Sequence, residues 1–215
     1  MKSLFRQAIQ YGGWGVIVFY CMMGWAMAIE EPQFKVLRAE ESMALREYAP
    51  YIVAETLVDS RFEDASSEGF RRLAGYIFGG NQGSKKVAMT APVVQSEGEG
   101  QKIAMTSPVG LEKASETQWR ITFSMPSEYT LATLPKPNDA RVSLRELPAH
   151  WIAAYEYSGT WSQERFEEKK QALLEWIKKN GWKPCGAPML ARYNPPWTPW
   201  FLRRNEVLIP VEKTP

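Results

Sequence analysis

The chain has 215 residues, 45% of them hydrophobic and 13% aromatic, and a net charge of +2. That length and apolar content suffice for a sizeable core and exclude a disordered chain. Lys2 and Arg6 supply the whole charge excess, so residues 29–215 are balanced, which argues against nucleic acid as the main partner.

The two basic residues precede an uncharged run, Tyr11–Ile29, that ends in the small-x-small pattern Ala26-Met27-Ala28. This predicts a signal peptide over residues 1–28, an exported (periplasmic or extracellular) protein, and one folded domain over 29–215. The alternative is an uncleaved N-terminal membrane anchor, because the run nearly reaches the ~20 residues that span a bilayer and carries Trp14 and Trp25 near its ends. Cys21 and Cys185 provide no disulfide framework and no zinc spacing.

Beyond the leader, Phe34–Leu37, Met43–Arg46 and Tyr51–Val58 read as strands. Asp64 is the expected N-cap of a helix running to about Phe78, with Phe62, Phe70, Leu73, Ala74 and Ile77 on one stripe. Gly79-Gly80-Asn81 ends it. Two near-identical segments follow, Lys86-Val-Ala-Met-Thr-Ala-Pro-Val93 and Lys102-Ile-Ala-Met-Thr-Ser-Pro-Val109. Each reads as a short strand closed by proline, and the glycine-rich 94–101 between them suits a hairpin loop facing Met89 towards Met105. Trp119–Met125 is a further strand, and the Pro-rich stretch from Leu134 to Asp139 a stiff loop.

The second half then repeats the first. Leu45-Arg-Glu-Tyr-Ala-Pro-Tyr-Ile-Val-Ala54 aligns with Leu144-Arg-Glu-Leu-Pro-Ala-His-Trp-Ile-Ala153 at an offset that also sets Phe62 on Trp161. Trp161 precedes a helix from Gln163 to Asn180 with Phe166, Leu173, Trp176 and Ile177 on its apolar side, stopped by Gly181. Two strand–strand–helix–strands units make an α+β domain, an antiparallel sheet carrying two helices in pseudo-twofold repeat. A rigid segment from Tyr193 to Phe201 and a strand over Val207–Val211 close the chain.

Phosphate-binding glycine loops, HExxH and nucleophile-elbow patterns are absent from the sequence. The single histidine, His150, falls on a strand among apolar neighbours, the setting of a satisfied core or edge residue. What the sequence does carry, in order, is Lys86-Val-Ala-Met-Thr-Ala-Pro-Val93, Met125-Pro-Ser-Glu-Tyr129, Tyr193-Asn-Pro-Pro-Trp197 and Arg204-Asn-Glu-Val207. Together these resemble the SOUL haem-binding protein family, from about Phe34 to Val211.

The resemblance implies a distorted antiparallel β-barrel with two helices, and non-covalent binding of haem or another tetrapyrrole in a hydrophobic cleft for carriage or buffering. It implies that the first helix and the loop after Asn194-Pro195-Pro196 border the ligand, with basic side chains meeting its propionates. The corresponding apolar contacts are Phe70, Leu73, Ala74 and Ile77 on the helix and Trp197, Trp200 and Phe201 on the loop. At the positions matching the family's cations stand Ser67, Gly75 and Thr198, so Arg71, Arg72 or Arg203 would have to substitute. Glu47 stands where another branch has a histidine, which leaves either no strong protein ligand to iron or an outside candidate such as Tyr193, Met89 or His150.

Two other readings compete. SOUL domains are similar to small-molecule effector domains of the gyrase-inhibitor-like type, some with hydrolase relatives. Glu47/Tyr48 or Glu146/Tyr155 would then supply a base and its orienter. A protein-interaction module using the Pro/Trp loop as an exposed apolar patch is the third.

Overall fold

The computed structural model describes residues 29–83 and 100–213. The proposed leader and the first motif copy, with Met89, lie outside them. Among the described residues no helix is long and apolar enough to cross a membrane.

Twelve strands and two helices follow in chain order: β1 (Phe34–Glu40), β2 (Met43–Tyr48), β3 (Tyr51–Asp59), α1 (Phe62–Ile77), β4 (Asn81–Gln82), β5 (Val109–Lys113), β6 (Gln118–Ser124), β7 (Lys136–Pro137), β8 (Val142–Leu147), β9 (His150–Tyr157), α2 (Gln163–Lys179), β10 (Trp182–Pro184), β11 (Met189–Arg192) and β12 (Asn205–Lys213). The main sheet runs β1-β2-β9-β12-β11-β5-β6-β3-β8, antiparallel throughout and strongly curled. β10 pairs with the far end of β12, and β4 with β7 forms a separate short ladder. The expected α+β class with an antiparallel, barrel-like sheet and two helices is present, the sheet being a curled half-barrel.

β2 does not pair with β3, nor β8 with β9, although each couple is joined by only two residues. β2 bonds to β9, Met43 opposite Tyr155 through Tyr48 opposite His150, while β8 bonds to β3. The two repeats thus exchange their leading strands. Ala49-Pro50 and Pro148-Ala149 join the strands in question, and a proline, with no N–H and a fixed φ, favours onward extended chain over a tight hairpin.

Period-2 alternation gives the sheet two distinct faces. Leu45, Ile52, Ala54, Ile121, Phe123, Ala153, Val207 and Ile209 face the helices and form the main core with Phe62, Leu73, Ile77, Phe166, Leu173, Trp176 and Ile177. The intervening positions Tyr48, Ile152, Ala154, Ala191 and Leu208 make a smaller cluster on the concave face. α1 can lie close to β6 because Gly69 has no side chain; a Cβ there would stand 2.7 Å from Ile121 Cβ.

Local signals explain the helix ends, with one correction. In α2, Ser162 caps Arg165 N–H, Glu164 opens the first turn, Lys178 and Lys179 occupy the last, and Gly181 takes φ +73°. α1 starts earlier than the sequence indicated: its N-cap is Arg61, without a side-chain cap bond, and Asp64 sits inside the first turn paired with Arg61 at 3.1 Å. Its stripe is also shifted, for Ala65 and Tyr76 are buried whereas Phe70 and Ala74 border it.

The second motif copy is not a strand. Lys102–Pro108 runs as irregular chain: Ile103 N–H donates to Ile77 O at the end of α1, and Thr106 hydroxyl to Ser124 O. These bonds go to a helix end and a strand end, so pairing begins only at Val109.

Candidate functional site

Two regions concentrate polar chemistry, one on each face of the sheet. On the concave face Glu206 is 0% exposed and fully paired. Arg46 grips it with both terminal nitrogens (2.7 and 3.0 Å), Arg204 donates to it at 2.9 and 3.1 Å, and Tyr193 hydroxyl at 2.7 Å. Arg204 also reaches Glu31 at 3.0 Å. Burial opposes ionisation of Glu206, but the bonds and charge of Arg46, then Arg204 and Tyr193, outweigh it and hold the carboxyl below its ordinary range. Burial, reinforced by Glu206, pushes Tyr193 far up and keeps it a neutral donor.

The repeat partner of Arg46, Arg145, meets Glu55 at 2.8 Å on the same face, where Arg120 bonds Glu112 at 2.7 Å. Between these networks lies a cavity of about 340 Å³ walled by Phe34, Tyr48, Tyr51, Met189 and Tyr193, with His150 at its edge. His150 stacks on Tyr48 (centroids 5.8 Å, 16°), and its Nδ1 lies 2.6 Å from Pro148 O, which holds the proton there.

On the opposite side, the loop from Asn194 to Arg203 is built to hold aromatic rings in solvent. Three prolines restrict its backbone, Asn194 Oδ1 accepts from Arg204 N–H at 2.6 Å, and Arg203 donates to Thr198 O and Pro196 O, both at 2.7 Å. Trp200–Leu202 forms a single 3-10 turn. Trp197 is 82% exposed, Trp200 60%, Phe201 58% and Leu202 64%. At its base, Arg203 and Arg192 both stack on Trp161, their Cζ atoms 4.1 and 3.6 Å from the ring centroid. Arg192 ties this base to α1 by donating to Ser66 Oγ at 2.6 Å.

One turn beyond Ser66, Phe70 is 37% exposed and packs edge-on against Phe123 at 5.3 Å. Ala74 is half-buried. Arg71 is exposed, making only a bond to Ser67 O at 3.4 Å, beside an open groove of about 520 Å³ that Arg72, Gly75 and Arg141 also line. Arg72 itself is occupied, bonding Leu57 O and Glu68.

Of the residues singled out from the sequence, Phe70, Ala74, Trp197, Trp200, Phe201, Arg71 and Arg203 lie on the helix-bearing side at or near the surface. Leu73 and Ile77 point into the main core, and Tyr193 faces the concave side. The Glu/Tyr pairs considered as catalytic do not meet. Glu47 and Tyr48 are consecutive on one strand and so face opposite ways, and Glu146 and Tyr155 sit on the unpaired strands β8 and β9. Sequence reading missed Arg46, Trp161 and Arg192. The repeat places Trp161 at the head of a helix and alternation along β11 turns Arg192 to the helix side, but neither signal shows that the two meet.

An open antiparallel α+β half-barrel of two exchanged repeats, with a salt-bridged concave floor and an aromatic loop beside its first helix, defines the class. The family described as SOUL heme-binding protein matches residues 29–210, and the chain belongs to it. Heme-binding protein 2 of Mus musculus is 26% identical over 159 residues, 72% of each chain. Heme-binding protein 1 of Xenopus laevis is 24% identical over 163 residues, 75% of this chain and 80% of its own. Among solved structures, the EcmrR C-terminal domain superposes with a TM-score of 0.57 at 14% identity, covering 80% of this chain and 98% of that one. A hydrolase from Listeria innocua gives 0.51 at 9% identity, covering 82% and 94%. These two share the fold.

Proposed function

We propose that the protein binds haem or a related tetrapyrrole non-covalently, for carriage or buffering, on the surface formed by the exposed edge of α1 and the Asn194–Arg203 loop. The observation that carries this is the run Trp197–Leu202: four large apolar side chains, each more than half exposed, held out by a rigid loop with two guanidiniums at its base. Soluble domains rarely leave such a patch without a partner. A flat apolar disc with two carboxylates matches aromatic walls flanked by cations. Family membership and the heme-binding relatives support the same ligand class.

The residues present fit the macrocycle and its acid groups. Of the three candidates to ligate iron, Tyr193 and His150 lie on the concave side, and Tyr193 is already bonded to Glu206. The concave cavity, at the small end of the roughly 300–1,000 Å³ typical of ligand pockets, suits something smaller than a macrocycle. Export of the mature domain, as the leader suggests, would place this carrier outside the cytoplasm.

Haemin titration of the domain tests the reading. One-equivalent saturation with a Soret shift, lost in Phe70→Glu and Trp197→Glu, is the expected result; non-saturable binding, or binding indifferent to both changes, overturns it.

A further inference from the structure

Four buried side-chain donors find no hydrogen-bond partner among the described residues, and three of them belong to neighbouring residues: Tyr157 hydroxyl, Arg165 Nε and Arg192 Nε. The charges of both arginines act on Tyr157, which places the three within electrostatic reach of one another. They come from the end of β9, the first turn of α2 and the end of β11, so the fold converges them at one place. Arg203 joins from the loop, sharing the Trp161 ring with Arg192. No carboxylate forms an ion pair with Arg165, Arg192 or Arg203 among the described residues. Arg192 thus has neither an ion-paired carboxylate nor a partner for its Nε, whereas Glu168 acts on Arg165 through its charge and Arg203 already donates to Thr198 O and Pro196 O.

Such an arrangement is unfavourable without an anion. Buried donors are almost always satisfied, and an exception points to a missing acceptor. Burial, and then the adjacent Arg203 charge, lower Arg192 to about 10, as expected for a cation lacking its counter-charge. The Arg46–Glu206 pair shows that this fold can neutralise a buried arginine internally.

We propose that Arg192 and Arg203, stacked on Trp161 and backed by Arg165 and Tyr157, form an oxyanion receptor that takes a carboxylate of the tetrapyrrole. Planar guanidiniums pair with carboxylate through two parallel bonds. This receptor replaces the cations absent at Ser67, Gly75 and Thr198, and it rests on the tetrapyrrole reading above. The ligand's disc lies against the aromatic loop while its acid group reaches the base of that loop.

The test compares haemin with its dimethyl ester on wild type, Arg192→Met and Arg192→Lys, each checked for folding by thermal melt. Wild type should prefer the free acid by about ten- to a hundredfold, the worth of hydrogen bonds to charged groups. Arg192→Met should bind acid and ester alike, and Arg192→Lys should keep part of the preference. Equal affinity of wild type for both ligands, or an unchanged preference in Arg192→Met, overturns the receptor while leaving the tetrapyrrole reading intact. If haemin does not saturate at all, the reading fails, and the receptor is judged by sodium benzoate and inorganic phosphate titrated against the NMR resonance of Arg192 Nε–H. A saturable shift, absent in Arg192→Met, supports an oxyanion site for a different ligand. No shift with either anion overturns it.

Discussion

Arg46 and Arg192 are both largely buried arginines placed by strand alternation, yet they meet opposite surroundings. Arg46 lies against Glu206, which Arg204 and Tyr193 also hold, so its charge is neutralised within the domain even though its Nε, like that of Arg192, finds no hydrogen-bond partner among the described residues. Arg192 lies against an indole, a serine and a second arginine, and nothing among the described residues neutralises it. The contrast separates a charge that stabilises the fold from one left to meet a ligand.

The largest effect should come from breaking the neutralised site. Glu206→Ala strands Arg46 and Arg204 in a buried setting, and urea unfolding should show a loss of about 3–5 kcal/mol. The same pair gives stability a direction with pH. Because folding lowers the Glu206 pKa, its contribution is full above the ordinary carboxylate range and fades as pH falls through the depressed folded value. Wild type should therefore lose stability more steeply in acid than Glu206→Gln.

Arg192→Met should be far milder, within about 1 kcal/mol of wild type, since the lost cation–π contact is offset by removal of an unneutralised buried charge. Its effect should appear in ligand affinity. Haemin titration and urea unfolding of wild type and Arg192→Met, run in parallel, check both effects.

Gly75→Lys tests the position where the family pattern has a cation. A Cβ at Gly75 meets no atom within 4 Å, so helix propensity should raise stability by about 0.5–1 kcal/mol, read from the melting temperature, with tighter haemin binding if the groove edge contacts the ligand. The smallest stability change belongs to Trp197→Ala. With the ring 82% exposed, unfolding should move by less than about 0.5 kcal/mol while haemin affinity falls.

Much of the architecture was legible in the chain. The internal repeat, the apolar stripe of α2 and the Gly181 stop foretold two α/β units, because helix periodicity and capping act over a few residues. Local patterns also misled. The motif copy at Lys102–Val109 looks like a strand, but its Ile103 and Ser107 N–H groups donate to Ile77 O and Glu30 O, residues whose nearness only the folded chain creates. Phe70, Leu73, Ala74 and Ile77 looked equivalent on a helical stripe, and the seating of α1 at Gly69 then buried Leu73 and Ile77 while leaving Phe70 at the edge.

By itself, then, the sequence determined the elements, their duplication and the aromatic loop, all of which follow from propensity, alternation and proline stiffness. The tertiary structure alone decided which strands pair across the repeats and which charges find a partner. Two strands with equal edges are locally interchangeable, and an arginine carries no mark of whether a glutamate 160 positions away or an indole will face it. Long-range packing makes that choice, and with it sorts the buried arginines into one whose charge is neutralised and one left without a counter-charge among the described residues.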